Sequence, residues 1–353
     1  MEKNMGTFKE KRMNIFFKGY YGFNNIGDDV FVHTIDWFCK KNNFKYLIHG
    51  YNLPKGINGK NVKNKYSKLI FDLFYSIKGN QIIYWGGSTF EQISSKKDLK
   101  YFLNKIVFFN KKVLTMGVSI GPFATQESKD DVLGFIDKMK FVGVRDIAST
   151  AYSPNVEFTF DLAIITPLVF PEIQFKENVV NNQYTVSLNV SHANNFKEYT
   201  NIYKKFLIEN KNFIEELNIL VFNDDDDQCS RDIYNELCDE IKEVNFINYT
   251  SETDVIINKI ANSDLLLGNR LHSAIIAYSY DVPFILNEYH AKCTDFLKTI
   301  EVQFTFGNLA MNTNLNINDV IEMSKFRKKP LYFRNIALKK LEKIAKVIKN
   351  EDL

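Results

Sequence analysis

Short apolar runs alternate with longer segments of helical spacing along most of the chain. Runs rich in β-branched and aromatic residues predict strands, and apolar residues three or four apart predict helices between them. Such alternation is typical of a parallel sheet with right-handed crossovers. In the first half, strands are predicted at 14–21, 44–51, 81–85, 112–120, 141–144 and 156–160, and helices at 30–41, 66–77, 99–110 and 130–140.

The alternation stops at residues 167–182 and then starts again. This stretch carries two prolines and the polar run VVNNQ, which predicts a linker. The break, with a length of 353 residues, predicts two α/β domains at 1–170 and 171–353. In the second half, strands are predicted at 184–190, 218–222, 245–249, 265–267 and 282–286, and helices at 196–210, 232–244, 253–262, 273–280, 319–325 and 334–349.

A cation and an imidazole stand between a predicted strand at 265–267 and the helix that follows. Arg270 can hold a carboxylate or phosphate with two hydrogen bonds, and His272 can carry a proton near neutral pH. Ligands in open parallel sheets bind at the carboxyl ends of strands, where helix N-termini attract anions. The pattern favours an anion site, although a solvent-facing arginine and a structural histidine are the alternative.

Glycine-rich turns follow two other predicted strands. The loop GYYGFNNIGDD at 19–29 lacks both the dinucleotide fingerprint and the Walker A pattern, and Asp28 or Asp29 is expected to cap the next helix. A second turn, Gly86-Gly87-Ser88, follows the strand at 81–85. Glycine lets backbone approach a ligand closely, but ordinary tight turns use it as well.

Charged residues mark three further loops. Arg145 follows the fifth predicted strand, and Asp146 is expected to cap a helix there. Lys292 lies in the segment NEYHAKC after the last strand. The four carboxylates at 224–227 are interpreted mainly as a solvated loop, with metal binding as the lesser alternative.

Composition narrows the function without deciding it. The chain is 45% hydrophobic and 25% charged, and its net charge of +3 comes without a dense basic block, which argues against nucleic acid. It has no apolar run long enough for a transmembrane helix and no secretory leader, so we expect a cytoplasmic protein. Cys39, Cys229, Cys238 and Cys293 show no CxxC spacing and are expected to be free thiols.

Taken together, these segments resemble the polysaccharide pyruvyl transferase family from about residue 15 to 296. The matching segments are GYYGFNNIGDD, YWGGSTF, GVSIGPF, VGVRD, FDLAI, LLLGNRLHSAIIAYSYDVPFI and EYHAKCTDFL. The Arg-Leu-His set with its helix is the most specific match. One departure is Asp161-Leu162, where the family usually has Asp-Pro.

The resemblance implies a GT-B-like fold of two Rossmann-like domains facing a cleft, with the probable acceptor side in the first domain and the donor site in the second. It also implies transfer of the carboxyethylidene group of phosphoenolpyruvate to two hydroxyls of a sugar, with release of phosphate. The acceptor would belong to a surface polysaccharide, such as a capsule or exopolysaccharide, or to its lipid-linked precursor. No cofactor and no metal are expected.

Site roles follow from this chemistry. His272 is the candidate general acid/base, and Asp28 is a candidate base or a holder of acceptor hydroxyls besides its capping role. Arg270 and Arg145 are expected to clamp the donor anion, with Lys292 on its phosphate. The remaining predicted substrate-binding residues are Asn25, Gly27, Gly87 and Ser88.

The main alternative is a GT-B glycosyltransferase that uses a nucleotide sugar. Such an enzyme usually needs a carboxylate for the ribose, for which Glu252 and Glu288 are the candidates. A non-catalytic glycan-binding protein is a second alternative, and the missing fingerprint disfavours an NAD-dependent oxidoreductase. Any membrane association is expected to be peripheral, at the inner face and through the acceptor. The acceptor sugar, the ketal stereochemistry and the oligomeric state are not predicted.

Overall fold

Two parallel sheets organise the chain, as the alternating pattern predicts. The computed structural model describes residues 13–90, 112–173, 183–192, 196–312 and 314–350. Helices lie along the sheets, so the central strands are buried on both faces, and most of their residues are apolar. The predicted helix at 99–110 lies outside the described residues.

The first sheet has six strands, and every neighbouring pair is parallel. The strands of this half are β1 (Asn14–Lys18), β2 (Lys45–Leu47), β3 (His49–Gly50), β4 (Lys60–Asn61), β5 (Gln81–Trp85), β6 (Lys112–Val118), β7 (Val142–Val144) and β8 (Val156–Phe158). The order in the sheet is β2-β1-β5-β6-β7-β8, and β3 and β4 form a separate short pair. β1 and β5 are neighbours inside this sheet, and buried apolar residues pair at their centre, as at Phe16 with Ile82.

The second sheet has five parallel strands in the order β11-β10-β9-β12-β13. These strands are β9 (Tyr184–Asn189), β10 (Ile214–Leu220), β11 (Val244–Ile247), β12 (Leu265–Gly268) and β13 (Phe284–Leu286). β9 and β12 lie in the middle, and every residue of both strands is buried.

The described helices cover the two sheets. In the first half they are α1 (Ile26–Asn42), α2 (Lys65–Lys78), α3 (Gln126–Ile136), α4 (Ile147–Thr150) and α5 (Thr166–Val169). In the second half they are α6 (Phe196–Glu209), α7 (Asp227–Leu237), α8 (Thr253–Ala261), α9 (Leu271–Ser279), α10 (Ala291–Thr299), α11 (Phe306–Met311), α12 (Ile317–Ser324) and α13 (Pro330–Lys349). None of them is long and apolar enough to cross a membrane.

Helix α1 starts four residues earlier than predicted. The side chain of Asn25 caps it by accepting a hydrogen bond from the backbone N–H of Gly27. The expectation that Asp28 or Asp29 caps the helix is therefore wrong. Both carboxylates lie inside the first turn, where they still favour the helix dipole. Asp29 is fully buried and accepts a hydrogen bond from the Tyr249 hydroxyl at 2.9 Å.

The last helix returns to the first half of the chain. Phe333 of α13 stacks on Phe160 with ring centroids 4.4 Å apart. Lys340 and Lys343 both pair with Glu157 of β8 at 2.6 Å. The division at residues 170 and 171 stays a prediction, but α13 packs against the half that precedes it.

The first residues of the predicted linker form a short helix with buried side chains behind it. Helix α5 occupies its start, and Phe170 and Ile173 behind it are buried. Residues 174–182 lie outside the described residues. All four cysteines are free thiols, as the absence of paired spacing predicts.

The carboxyl ends of the two sheets face each other. The loops after β1, β5, β7 and β8 come from one side, and the loops after β10, β12 and β13 come from the other. A backbone bridge between Asn25 and Asn223 joins the two sides directly. This arrangement collects the strand-end residues of both halves around one cleft, as ligand sites of open parallel sheets require.

Candidate active site

One cleft between the two sheets contains nearly all the residues that the sequence singles out. Its cavity volume is about 300 Å³. Its lining is Tyr20, Asn25, Asp28, Gly87, Ser88, Arg145, Phe222, Arg270, Leu271, His272, Tyr289 and Lys292. Gly27, the remaining predicted residue, lies directly behind the lining. The structure thus brings the predicted set together, while the individual roles stay predictions.

His272 lies in the first turn of α9 and packs on the start of α1. A Cβ atom added to Gly27 would lie only 2.0 Å from the His272 Nδ1 atom, so only glycine fits there. The Phe31 ring meets the imidazole edge to face, with centroids 5.1 Å apart. Two helix starts from opposite halves of the chain therefore fix the imidazole.

The other imidazole nitrogen faces a carboxylate. His272 Nε2 lies 3.7 Å from Asp161 Oδ2 and has no hydrogen-bond partner within the described residues. Burial alone would raise the pKa of Asp161, but His272 and Arg145 hold it below its usual value. An ionised Asp161 can orient the imidazole ring.

Asp161 was not among the predicted site residues. Its position directly after β8 was the available signal, together with the FDLAI segment that matches the family. Leucine at position 162 does not disturb it, because the Asp161 side chain caps the following turn by accepting from the Ala163 N–H at 2.9 Å.

Asp28 faces the cleft from α1. Burial raises the pKa of its carboxyl to about 6, although His272, Arg145 and Lys292 act in the opposite direction. Because Asn25 makes the cap, the Asp28 side chain is not needed for it. A carboxylate that titrates near neutral pH is suited to exchange protons with a substrate hydroxyl.

Arg145 is almost completely buried, and all three guanidinium nitrogens are engaged. Nε donates to Ser119 Oγ at 2.6 Å, Nη1 to Asp161 Oδ2 at 3.3 Å and Nη2 to Ser88 Oγ at 2.9 Å. Arg145 therefore links the loops after β5, β6 and β8. The next residue, Asp146, caps α4 through the Ser149 N–H, as predicted.

Arg270 forms a bidentate ion pair with Asp226. Nε and Nη2 donate to the two carboxylate oxygens at 2.9 and 2.6 Å, and Asp226 is fully buried. The interpretation of 224–227 as a solvated loop is therefore wrong for Asp226. Asp224 and Asp225 are exposed, while Asp226 is buried where the chain turns tightly into α7.

The bidentate pair leaves part of Arg270 for the cleft. Its Nη1 makes no hydrogen bond within the described residues, and the side chain is 23% exposed. Asn189 accepts a hydrogen bond from the Arg270 backbone N–H at 3.0 Å, which fixes the residue just before α9. The alternative of an arginine that points freely into solvent is excluded.

Lys292 supplies a third cation from the first turn of α10. His290 caps this helix and accepts from the Lys292 N–H at 3.2 Å. Lys292 also lines a neighbouring cavity of about 150 Å³, which shares Ser88, Arg145 and Leu271 with the cleft. The two spaces are therefore continuous around Arg145 and Lys292.

The chemistry of the cleft is that of anion binding combined with proton transfer. Arg145, Arg270 and Lys292 surround it, and the helix N-termini of α1, α9 and α10 add partial positive charge. Asp28 and the Asp161–His272 pair provide two separate groups that can move protons. Within the described residues, no group of three or more histidine, cysteine or acidic side chains is placed to hold a metal ion.

A family model for polysaccharide pyruvyl transferases matches residues 25–290. The chain belongs to this family. The match begins at the Asn25 cap and ends at the cap of α10, so it covers every predicted site residue except Lys292. No curated protein matches the chain significantly.

Solved structures confirm the GT-B-like fold of this pyruvyl transferase family member. The UDP-GlcNAc 2-epimerase from Methanocaldococcus jannaschii is similar at a TM-score of 0.62 and 11% identity, over 96% of this chain and 100% of that one. The MnaA protein of S. aureus, solved with UDP, is similar at 0.61 and 11%, over 91% and 92%. At such identities the similarity concerns the fold alone.

Proposed function

We propose that this protein transfers the carboxyethylidene group of phosphoenolpyruvate to two hydroxyls of one sugar. The product is a cyclic ketal on a surface polysaccharide or its lipid-linked precursor, and phosphate is released. Membership of the pyruvyl transferase family supports the reaction class. The observation that carries the donor is the cleft itself, in which three cations surround a histidine paired with a carboxylate.

The donor carries a carboxylate and a phosphate on neighbouring atoms. Arg270 offers Nη1 to one of these groups, and Lys292, which also lines the cleft, is assigned to the other. Arg145 contributes charge and holds Ser88 at the cleft wall, since its own N–H groups are already bonded. The sequence predicted that Arg270 and Arg145 clamp the donor. This assignment differs, because both arginines also pair with buried carboxylates.

Proton transfers must balance in this reaction. A proton added to the donor methylene makes the neighbouring carbon electrophilic, so the first sugar hydroxyl bonds to it. The phosphate then leaves, and the second hydroxyl closes the ketal. The two sugar hydroxyls lose two protons in total. One balances the proton that the new methyl group gains, and the other leaves on phosphate.

Two groups suit these transfers. His272, oriented by the ionised carboxylate of Asp161, delivers the proton to the methylene carbon. Asp28 accepts a hydroxyl proton, because its pKa of about 6 leaves it ionised at neutral pH and still basic. The assignments agree with a division of acid and base between two environments.

The direct test is release of phosphate from phosphoenolpyruvate in the presence of sugar acceptors. We expect release only with both substrates, and an acceptor that gains the mass of pyruvate less one water. The His272→Gln variant should release no phosphate under the same conditions. Acceptor-independent hydrolysis, or no release with a panel of lipid-linked and polymeric sugars, would contradict the proposal.

A nucleotide-sugar glycosyltransferase is the second candidate, because similar structures were solved with UDP. The carboxylates suggested for the ribose do not support it. Glu252 pairs with Lys55, Glu288 is exposed, and neither lines the cleft. Calorimetric titration separates the two, since tight binding of UDP or GDP without binding of phosphoenolpyruvate would favour the glycosyltransferase.

A further inference from the structure

Helix α2 presents an apolar stripe to solvent. In most helices that cover a sheet, the apolar face packs on the sheet instead. Its large apolar side chains recur at spacings of three and four, so they share one face about 100° wide. The members are Tyr66, Ile70, Leu73, Phe74 and Ile77, which are 68%, 65%, 43%, 50% and 69% exposed. Exposed apolar patches of this kind mark interaction sites in soluble proteins.

The opposite face of α2, which packs on the protein, carries a charged side chain, Asp72. Asp72 turns inward and pairs with Lys18 at 3.4 Å and with His49 at 3.3 Å. Burial alone would raise the pKa of Asp72, but these partners lower it to about 2. The orientation of α2 is thus fixed by an ionic anchor, which keeps the apolar stripe outside.

Positive charge surrounds the stripe. From residue 60 to 78 the chain carries five lysines and a single carboxylate, the inward-turned Asp72. Lys60, Lys63, Lys65 and Lys78 are exposed. Lys65 lies over the Tyr66 ring and Lys78 over the Phe74 ring, at 5.3 and 5.5 Å from the ring centroids.

We infer that α2 docks the protein onto the surface of an anionic lipid bilayer. An amphipathic helix with an apolar face and flanking lysines lies in the interface, with the apolar side chains among the acyl chains and the lysines at the head groups. Each lysine near an anionic surface contributes attraction, which falls off with salt. The outward-facing charge of α2 is of one sign only, which suits a lipid surface better than a second copy of the same helix.

The docking surface adjoins the catalytic cleft. A cavity of about 420 Å³ is lined by Lys65, Tyr66 and Asp72 of α2 and by Tyr20 from the loop after β1. Tyr20 also lines the cleft. Docking through α2 therefore places the cleft beside the bilayer, where an acceptor carried on a lipid is found. The docking surface itself does not depend on the proposed donor.

Sedimentation with lipid vesicles tests the inference without donor or acceptor. We expect the full-length protein to sediment with vesicles of equal phosphatidylglycerol and phosphatidylcholine, less so as salt increases, and hardly with phosphatidylcholine alone. Ile70→Ser combined with Phe74→Ser should weaken the apparent affinity by about tenfold or more, because two inserted apolar side chains are lost. Phe326→Ser combined with Leu331→Ser is the matched control, since these side chains are 65% and 61% exposed outside α2.

A second variant guards against loss of folding. Lys63→Ser combined with Lys65→Ser removes only exposed charge and should weaken binding to anionic vesicles by roughly tenfold. Three results would overturn the inference: no sedimentation of the wild type, equal binding to neutral vesicles at all salt concentrations, or wild-type binding by the Ile70/Phe74 variant. A dimer that forms without lipid, and that the Ile70/Phe74 variant no longer forms, would overturn the inference, because the stripe would then bind a second copy of the chain. Because phosphate release is measured separately, failure here leaves the proposed reaction standing.

Discussion

At the scale of single residues, the cleft depends on polar partners that are far apart in sequence. His272 owes its position to Gly27 and Asp161, and Arg270 owes its orientation to Asp226. Sequence spacing identified the arginine and the histidine because they follow a strand. It did not identify the carboxylates that hold them, since pairing between residues far apart in sequence leaves no periodic signal.

Replacing His272 tests whether it moves protons or only binds. We expect His272→Gln to lower kcat by about a hundredfold or more, while the dissociation constant of phosphoenolpyruvate changes little. Steady-state kinetics and calorimetry measure the two quantities. His33→Gln, which changes a histidine outside the cleft lining that lies 3.2 Å from the Thr253 hydroxyl, is the control. Equal losses of turnover and affinity would make His272 a ligand rather than a proton carrier.

Ionisation of the Asp28 carboxyl should affect both the activity and the free energy of unfolding. Because burial raises its pKa from 3.8 to about 6, the native state binds the proton more tightly than the unfolded chain. Stability is therefore lost as pH rises from about 4 to about 6, by at most about 3 kcal/mol. Asp28→Asn should remove this loss and stabilise the protein at pH 7, yet lower kcat.

The pH profile of the same variant completes this test. Wild-type kcat/KM should fall below pH 6 as Asp28 gains a proton, and the fall should vanish in Asp28→Asn. Asp130→Asn changes an exposed carboxylate and should alter stability by less than about 0.5 kcal/mol. An unchanged acid limb in Asp28→Asn would assign the titration to another group.

At the scale of elements, helix starts and strand ends carry the site, and their boundaries were the least predictable part. The hydrophobic pattern placed α1 at Val30, whereas the helix begins at Ile26 because Asn25 satisfies its first N–H groups. Pattern alone underestimates helices whose first turn is polar. Likewise, α7 begins within the acidic run, so one of four adjacent carboxylates becomes buried.

Two neighbouring carboxylates at the start of α7 belong to different ion pairs, one buried and one near the surface. Asp226→Asn removes the partner of Arg270 in a site with no exposure, and we expect the free energy of unfolding to fall by about 3 kcal/mol. Asp227 pairs with Arg231 near the surface, so Asp227→Asn should cost less than about 1 kcal/mol. Denaturant unfolding measures both, and equal effects would contradict the assigned burial.

The contact between α1 and α9 is tested at its glycine. In Gly27→Ala the new methyl group would meet the His272 ring, so we expect kcat to fall while the fold persists. Gly134→Ala in α3 is the matched control, because a Cβ there meets nothing within 4 Å. In a helix interior that substitution should stabilise by about 0.5–1 kcal/mol. Wild-type turnover in Gly27→Ala would show that the imidazole is not fixed by this contact.

At the scale of the whole molecule, two sheets with facing carboxyl ends were predictable, because alternating strands and helices leave few arrangements. The family resemblance supplied the order of the two halves and the common cleft, and the family model and the solved structures agree with it. The return of α13 to the first half was not predictable. Its contacts with Phe160 and Glu157 are long-range, and no local pattern encodes them.

Binding of phosphoenolpyruvate to the cleft is the central claim, and thermal unfolding tests it most directly. A ligand that binds only the folded state at about a hundredfold excess over its dissociation constant should stabilise the protein by about 2.7 kcal/mol. Lys292→Met, which removes a cleft cation, should lose this stabilisation. Lys298→Met, an exposed position on the same helix, should retain it. A shift confined to the wild type and Lys298→Met is the predicted result; no shift in the wild type, or an equal shift in Lys292→Met, would contradict the account.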